Sequence, residues 1–568
     1  MAFHYDMTRR GSCGLYEYLY RCIRADIERG AVDPGDRLPS KRALAADAGV
    51  SVITVEKAYA QLAAEGYIQS RQRRGYFVSR LPGAARHASI VRSVADHDLV
   101  RVAHAGSGAR VGSTAPTVPS VAASSASSAA DPASSLVADF SWPVSNPGVA
   151  SGLWSKALKA TLAQESDREL YAPQPSQGSL RLRRAIAAHL SAVRGMDVDP
   201  GCIVIGAGAQ ILYGQVAQLV APLGEVGTGG NRGAAAPWGG VRRGTAGRQA
   251  TARGAGAARH PARDGEPRPV IAVENPGYPR LSSIYASYGF DVRHVPLDAG
   301  GIDIDALDAS GAGIVHIMPS HQFPTGRVTS VTRRYELLGW LAGGSERYLV
   351  EDDYDNEFRM AGRPIPSLAS IDVLGRVIYI GTFSKSLGSA LRLAYMVLPP
   401  VLAARYDAAL GFYSSTVGVV DQICLARLLE SGDYARHVNR YRTQRRQVRD
   451  ALLAALAASP AAPRLSVEEA DSGLHFVLAV RTGATEAQIA RAGLRHGVRL
   501  APMSRYATAD DGAPWDDAAG YAGVGASVPL PGYADTMPRF VMQYDGLSPE
   551  AVPRCSAALA AAVLETAR

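Results

Sequence analysis

The sequence contains few cysteines, and their spacing is unlike that of a metal site or a disulfide framework. Five cysteines occur in 568 residues, and no two of them form a Cys-x-x-Cys pair: Cys13, Cys22, Cys202, Cys424 and Cys555. Structural zinc sites and disulfide-rich secreted domains need closely spaced cysteines. We therefore expect reduced thiols and no metal site, as in most cytoplasmic proteins.

Long apolar runs are also missing. No stretch approaches the roughly 18 consecutive apolar residues that a membrane-spanning helix requires. The N-terminal residues MAFHYDMTRR lead into an amphipathic helix and not into the apolar core of a signal peptide. The sequence predicts a soluble cytoplasmic protein without a membrane partner.

Two segments lack helical or strand periodicity, and they divide the chain. Residues 81–136 are rich in Ser, Ala and Pro and carry a long run without charge before Asp131, which predicts a flexible linker. Residues 224–268 carry eight arginines and three acidic residues among Gly and Ala, which predicts a disordered surface insertion, with nucleic-acid contact as an alternative. The predicted domains are therefore residues 1–80 and 137–568, joined by the linker.

The first 80 residues have the pattern of a winged helix-turn-helix. Leucines and isoleucines at every fourth position predict a helix that ends near Gly30. Ser40 can cap a second helix, KRALAADA, and Ser51 can cap a third, whose apolar face includes Val55 and Tyr59. The basic segment YIQSRQRRGYFVS then reads as a two-stranded wing. This order of elements is typical of DNA-binding domains.

The region from residue 137 onwards alternates strand-like and helical segments. Apolar runs of strand length are CIVI, VIAV, IVHIM, YLV and VIYI, with helical segments between several of them. This alternation predicts a mostly parallel sheet with helices on both faces. Residues from about 401 to 568 are predicted to form a long helix followed by a smaller α+β subdomain.

The segment GTFSK, which follows VIYI, places Lys385 at the carboxyl end of a strand, where ligand sites of α/β sheets are found. Arg392 lies seven residues further on. A lysine that forms a Schiff base and an arginine within reach of a phosphate suit pyridoxal 5'-phosphate. The spacing alone is not specific, but EDDY at 351–354, NPGYPR at 275–280 and SHQFPTG at 320–326 add a carboxylate, aromatic rings and polar turns.

The first domain resembles the GntR-type winged helix, on the segments LPSKRALA, GVSVITVEKAYAQLAAEGYI and RRGYFV. Position 52 is Val, where members of that family often carry Arg, and this leaves the base preference open. The partner that the resemblance implies is double-stranded operator DNA. The resemblance implies contacts to DNA from the start of the second helix, the third helix and the wing: Ser40, Lys41, Arg42, Ser51, Thr54, Lys57, Arg71, Arg73 and Arg74.

The second domain resembles class I/II aminotransferases of fold type I, and the whole chain is similar to the MocR/GabR family, which joins the two modules. The resemblance implies that Lys385 binds pyridoxal phosphate covalently and that Asp352 pairs with the pyridine nitrogen, with Asp353 as second choice. It implies that Tyr354 contacts the phenolate oxygen and that Tyr278 stacks on the ring. The phosphate would be held by Ser384, Thr382, Arg392, Gly208, Ala209 and Gln210.

The sequence departs from working aminotransferases at two places. Phe323 precedes Pro-Thr-Gly, where those enzymes usually carry Asn, so His321 or Gln322 would have to supply the polar contact. The arginine that would clamp a carboxylate is either Arg505 or Arg539, and Arg505 is favoured. Separately, Arg280 is a candidate contact for a charged group of an effector.

Three functions are compatible with these features. The favoured one is a transcription regulator that senses pyridoxal phosphate or an amino compound that reacts with it. The alternatives are an active aminotransferase that carries a DNA-binding domain, and a DNA-binding scaffold with a vestigial cofactor site. The resemblance also implies a domain-swapped homodimer, and a linker of some 50 residues would span roughly 40 Å as a random coil. Family members control vitamin B6 synthesis or amine and amino-acid catabolism, and the motifs favour the vitamin B6 group.

Overall fold

A computed structural model gives the architecture of the chain. It describes residues 5–7, 14–28, 31–64, 67–71, 75–79, 136–141, 147–221, 268–360, 366–471, 473–508, 530, 532–533 and 535–566. The predicted linker 81–136 and the predicted insertion 224–268 lie almost wholly outside these residues, as do Arg73 and Arg74 of the wing. The side chain of Arg71 also lies outside them.

The N-terminal domain consists of three helices and a hairpin: α1 Leu15–Glu28, α2 Lys41–Asp47, α3 Val52–Ala64, β1 Ile68–Arg71 and β2 Gly75–Val78. The side chain of Ser40 caps α2 by accepting the backbone N–H of Ala43. The β1 and β2 strands pair antiparallel, and Gly75 begins β2 with a φ of +101° that favours glycine. The buried side chains of α1 and α3 form the core of this domain. The elements thus have the order predicted for a winged helix.

The second domain has a large and a small sheet with many helices. Its helices are α4 Pro147–Gln164, α5 Asp167–Tyr171, α6 Leu180–Arg194, α7 Ala209–Val220, α8 Pro279–Ser287, α9 Ile304–Ala309, α10 Val331–Ala342, α11 Leu368–Ile371, α12 Ser384–Leu387, α13 Pro400–Leu410, α14 Val419–Glu430, α15 Asp433–Ala457, α16 Glu486–Arg495 and α17 Val552–Glu565. Its strands are β3 Ala138–Asp139, β4 Ile203–Gly206, β5 Val270–Asn275, β6 Asp291–Asp298, β7 Gly301–Ile302, β8 Ile314–Ile317, β9 Tyr348–Asp353, β10 Val377–Thr382, β11 Ala394–Val397, β12 Leu465–Glu468, β13 His475–Val480, β14 Val498–Arg499, β15 Ala501–Pro502 and β16 Arg539–Gln543.

The large sheet has eight strands in the order β4-β11-β10-β9-β8-β5-β6-β7. The central pairs from β10 to β6 are parallel, whereas β11 runs antiparallel to both of its neighbours. The strands at the centre of this sheet, such as β9 and β10, are almost wholly buried, because helices cover both faces. Parallel strands bring their carboxyl ends to one edge, so the segments after β9 and β10 lie side by side.

The small sheet is antiparallel, in the order β12-β13-β16-β15. The α15, α16 and α17 helices contribute to its core. The short strand β3, where the described chain resumes after residue 79, pairs parallel with β14 next to this sheet. The N-terminal part of the second domain is therefore attached to its C-terminal subdomain.

One expectation for this region needs correction. The sequence suggested one long helix from about residue 401, but the structure has three helices there, and the long one is α15. Gly411 ends α13, Gly418 precedes α14, and Gly432, with a φ of +70°, precedes α15. No helix within the described residues is long and apolar enough to cross a membrane.

Candidate functional site

A cavity of roughly 450 Å³ opens at the carboxyl ends of β9 and β10. Its wall contains eleven of the residues that the sequence assigned to a cofactor or an effector: Ala209, Gln210, Tyr278, Arg280, Asp352, Tyr354, Thr382, Ser384, Lys385, Arg392 and Arg505. Gly208 immediately precedes this set at the start of α7. Segments that are far apart in the sequence thus meet around one space.

The phosphate-binding candidates form a cradle at the start of α7. Gly208 has a φ of +90°, and a Cβ placed there would lie 2.6 Å from Cζ of Arg392, so only glycine leaves room for the guanidinium. Arg392 itself has a left-handed backbone with a φ of +49°, which is uncommon for a residue other than glycine. The hydroxyls of Thr382 and Ser384 lie 2.9 Å apart beside it. A guanidinium, two hydroxyls and the first N–H groups of a helix are donors that suit a phosphate.

Asp352 is buried at the end of β9 and lines the cavity. Its Oδ2 accepts a short hydrogen bond from the hydroxyl of Tyr213 and lies 3.6 Å from Nε2 of His316. Its Oδ1 has no hydrogen-bond partner among the described residues. Burial, followed by the charge of Asp352, raises the pKa of Tyr213 well above its usual range, so Tyr213 stays a donor. Asp352 therefore keeps one acceptor oxygen available.

The neighbouring Asp353 has a different environment. Its Oδ2 forms a buried ion pair with Arg194 of α6 and accepts a 2.7 Å hydrogen bond from the hydroxyl of Tyr379. Successive residues of a strand point to opposite faces of the sheet, which explains why the two carboxylates are separated. Of the two carboxylates considered from the sequence, Asp352 lines the cavity and Asp353 ties the sheet to α6.

Tyr354 connects the cavity to a buried polar cluster. Its hydroxyl lies 3.1 Å from Nδ1 of His321, and the same nitrogen lies 2.7 Å from Oδ2 of Asp355. The His475 ring lies 4.2 Å from that of His321, and burial lowers the pKa of His475 well below its usual range. His321, Asp355 and His475 lie close enough together to hold a metal ion; Nδ1 of His321 is hydrogen-bonded to Asp355 here, and its Nε2 has no partner among the described residues. The arrangement is that of a hydrogen-bonded dyad that orients the tyrosine.

His321 and Gln322, the two polar candidates beside Phe323, have different hydrogen-bond partners. The side-chain amide of Gln322 already has hydrogen-bond partners within the protein. Its Oε1 accepts from Thr325, and its Nε2 donates to the carbonyls of Pro276 and Phe323. Phe323 faces the cavity, with its ring centroid 5.0 Å from that of Tyr506 and nearly perpendicular to it. His321, in contrast, lies within hydrogen-bonding distance of the hydroxyl of Tyr354, which lines the cavity.

The two candidate arginines also differ. Arg539 lies outside the cavity wall, and its guanidinium is bound on both sides, by Glu468 at 3.1 Å and by Asp535 at 2.7 Å. Arg505 follows β15 and lines the cavity together with Arg280. Of the two arginines, Arg505 lines the cavity and Arg539 does not.

Sequence reasoning missed several residues of the site. Tyr213 could have been found, because it lies one helical turn after Ala209 on the same face of α7. Asp545 follows β16, and its Oδ2 lies 3.4 Å from Nζ of Lys385, a contact between residues 160 positions apart. Asp545 is buried, and burial raises its pKa, whereas Lys385 opposes the shift. A contact of that kind leaves no trace in local sequence spacing.

The DNA-binding candidates of the first domain lie around α2 and α3. Ser51 precedes α3, and its Oγ accepts the N–H of Thr54 at 3.1 Å. Lys41 forms a 2.7 Å ion pair with Glu56, which ties α2 to α3. Arg42 and Lys57 are exposed. The opposite face of α3 is buried, so its exposed face is available to a partner.

Comparison with protein-family models gives a match for each domain. Residues 15–78 match the model described as bacterial regulatory proteins, gntR family. Residues 262–510 match the model described as aminotransferase class I and II.

Curated relatives cover both domains. The uncharacterized HTH-type transcriptional regulator YdeL of Bacillus subtilis is 32% identical over 86% of this chain and 89% of its own length. The probable rhizopine catabolism regulatory protein MocR of Rhizobium meliloti is 27% identical over 88% of each chain. The pyridoxine biosynthesis transcriptional regulator PdxR of Corynebacterium glutamicum is 28% identical over 80% of this chain and 81% of its own length.

Solved structures share the fold of the second domain. Kynurenine aminotransferase of Pyrococcus horikoshii has a TM-score of 0.56 at 19% identity, covering 76% of this chain and 92% of its own. An archaeal alanine:glyoxylate aminotransferase has a TM-score of 0.57 at 19% identity, covering 75% and 91%. The predicted fold class, a GntR winged helix joined to a fold-type I aminotransferase domain, is confirmed. With relatives that extend over both domains, the chain belongs to the MocR-type family of HTH transcriptional regulators.

Proposed function

We propose that this DNA-binding regulator binds pyridoxal 5'-phosphate at Lys385 and responds to that compound or to an amino compound that reacts with it. The observation that carries the proposal is the meeting of Lys385, Asp352 and Arg392 around one cavity. A lysine nucleophile, a buried carboxylate and a guanidinium are the three groups that this cofactor requires at its aldehyde, ring nitrogen and phosphate. Asp352 comes from a segment that is separate in sequence from the one that carries Lys385 and Arg392, so their convergence is a property of the fold.

The residues present fit the cofactor in two independent ways. The unpaired Oδ1 of Asp352 is a buried acceptor, and such an atom is costly unless a ligand donates to it. A protonated pyridine nitrogen is a donor of that kind. The cradle of Gly208 and Arg392 would be filled by a single added Cβ, which supports an anion lying against the guanidinium. Tyr278 lines the same cavity and could stack on the ring.

When bound, pyridoxal phosphate supplies an aldehyde carbon that reacts with amines and a ring that withdraws electrons. Lys385 would provide the nitrogen that binds the cofactor, and its Nζ lies 3.4 Å from Oδ2 of Asp545, which can accept a hydrogen bond from it. His321 lies within hydrogen-bonding distance of the hydroxyl of Tyr354, which would contact the phenolate oxygen of the cofactor. Arg505 would hold an anionic group of the incoming compound.

The composition of the cavity wall supports a sensing role. Lys385 and Asp352 belong to the segments that end the large sheet, whereas Arg505 and Gln543 belong to the small sheet. A ligand that contacts both sheets binds one relative arrangement of them better than another, and it shifts the population toward that arrangement. Such a difference in affinity is the basis on which a ligand site is coupled to a DNA-binding site.

The first experiment is a titration of the full-length protein with pyridoxal phosphate, followed by visible absorption. The wild type should develop a protein-bound absorption band that survives dialysis, because a covalent bond to Lys385 holds the cofactor. Lys385→Ala should lose that band, whereas Lys159→Ala, which removes an exposed lysine of α4, should keep it. A colourless wild type that retains no cofactor would refute the proposal.

We also propose that the regulator acts as a homodimer, with domains swapped between the copies. Phe412 and Tyr413 are 76% and 49% exposed, their ring centroids lie 4.3 Å apart, and Val401 of α13 is 71% exposed. Exposed apolar side chains of this size are typical of an interface, and here a second copy would cover them. Phe412→Asp should sediment as a monomer, whereas the control Val467→Asp on β12 should sediment as a dimer. A wild type that sediments as a monomer at micromolar concentration contradicts the proposal.

The alternative function is an active aminotransferase. It is favoured by one observation: the wall of the cavity combines Lys385 with Arg505, the favoured carboxylate-binding candidate, and with Arg280, the candidate contact for a charged group of an effector. Sustained formation of a keto acid from an amino donor, over many turnovers for each protein chain, would establish this activity. A protein-bound absorption band without turnover, together with a change in DNA binding when the amine is added, would favour the regulatory function.

A further inference from the structure

The recognition helix α3 carries two exposed apolar side chains at its start. Val52 is 43% exposed and Ile53 is 63% exposed. The apolar residues that serve the core lie on another face of the helix, and Val55, Tyr59 and Leu62 are fully buried. At 100° per residue, Ile53 points about 160° away from Val55. The fold of the domain therefore does not require these two side chains.

The charges around the pair are those of a surface that meets an anion. Arg42 and Lys57 are exposed beside it. The one acidic residue of α3, Glu56, forms a 2.7 Å ion pair with Lys41, so its charge is compensated. Phosphates are attracted by such an edge, while the apolar pair at its centre offers no hydrogen-bond donor.

We propose that Val52 and Ile53 select operator sites by contacting the C5 methyl groups of thymines in the major groove. The inference rests on the DNA-binding function of the winged helix, whose recognition helix enters that groove. In the major groove, guanine and adenine present acceptors and donors, and thymine alone among the four bases presents a methyl group. An aliphatic side chain cannot form hydrogen bonds with the polar base edges. When it packs against a methyl group, however, apolar surface of both groups is removed from water. At position 52, where members of the GntR family often carry an arginine that can bind guanine, this protein has a valine that contacts thymine.

The test begins by selecting binding sites for the full-length protein from random duplex DNA. Each thymine of the selected site is then replaced by deoxyuridine, which removes only the methyl group. One or two thymines should be sensitive, with affinity falling about fourfold for each methyl, since burying one such group contributes ~0.8 kcal/mol. The other thymines should be insensitive.

Variants assign the sensitivity to the two side chains. The double variant Val52→Ala/Ile53→Ala should bind the thymine and deoxyuridine duplexes equally, while Val467→Ala, which shortens an exposed valine of β12, should behave as the wild type. Both α3 side chains are exposed, so the thermal midpoint should not change. Val52→Arg should shift the selected base at that position toward guanine.

The outcomes separate the inference from the function on which it rests. If no sequence is enriched, the DNA-binding function fails and the inference fails with it. If a site is enriched but no thymine is sensitive, or if the sensitivity persists in the double alanine variant, the function stands and the inference is wrong.

Discussion

The cradle for the phosphate allows a quantitative test with the variant Gly208→Ala. The added Cβ would lie 2.6 Å from Cζ of Arg392, well inside van der Waals contact, so the guanidinium must leave its place. A charge-assisted contact between arginine and phosphate contributes about 3 kcal/mol, so we expect the affinity for pyridoxal phosphate to fall about 100-fold. Gly208 has a φ of +90° and a ψ of 158°, and an alanine held in this backbone conformation adds roughly 1 to 3 kcal/mol of strain to the folded state of the variant.

Strain and loss of the contact can be separated with a matched control. Gly289 has a φ of +86°, and a Cβ there would meet nothing within 4 Å. Gly289→Ala should therefore lose stability toward denaturant without losing affinity for the cofactor. Affinity is measured by titration of the absorption band and by equilibrium dialysis. The double variant Gly208→Ala/Arg392→Ala should bind no more weakly than Arg392→Ala, because both changes remove one contact. If Gly208→Ala binds within about threefold of the wild type, the cradle does not hold the phosphate.

Three further predictions concern single side chains. Asp352→Asn should weaken cofactor binding without lowering the stability of the cofactor-free protein, whereas Asp353→Asn should cost about 3 kcal/mol of unfolding free energy because Arg194 loses a buried partner; equal losses in both would contradict the assignment. Burial raises the pKa of Glu274 from 4.5 to about 8, so the folded state holds that proton more tightly and loses stability as the pH rises through this window. Glu274→Gln should therefore match the wild type near pH 4.5 and exceed it by roughly 4 kcal/mol above pH 8 in denaturant unfolding, and a constant difference would refute the assignment. Arg42→Ala should lower the slope of log affinity for DNA against log salt concentration by about one, and an unchanged slope would mean that Arg42 does not reach a phosphate.

The strands show how far hydropathy predicts this fold. The run YLV ends at Val350, yet β9 continues to Asp353 through three buried carboxylates. Hydropathy alone cannot extend a strand into acidic residues. The extension is stable because Glu351 accepts backbone N–H groups at 368 and 369 and faces Arg334, while the next two carboxylates have their own partners. The buried carboxylates at the end of β9 therefore coincide with the candidate site.

The site was predictable where a motif lies within a few residues, and not where the fold joins distant segments. The segment GTFSK locates Lys385, and the helix start at 208–210 locates half of the cradle. The positions of Asp545 beside Lys385 and of His316 beside Asp352 depend on the packing of separate strands. Neither contact has a fixed sequence separation, so no local pattern encodes it.

The pairing of β3 with β14 determines where the chain that comes from the winged helix joins the second domain. The N–H of Val137 donates to the carbonyl of Gly497 at 2.7 Å, the N–H of Phe140 donates to that of Arg499 at 2.9 Å, and Asp139 is bound by the Arg499 side chain. The chain that comes from the winged helix therefore joins the small subdomain through several hydrogen bonds. Because that subdomain also supplies one wall of the cavity, a ligand that displaces the small sheet would displace the point at which the chain enters the second domain.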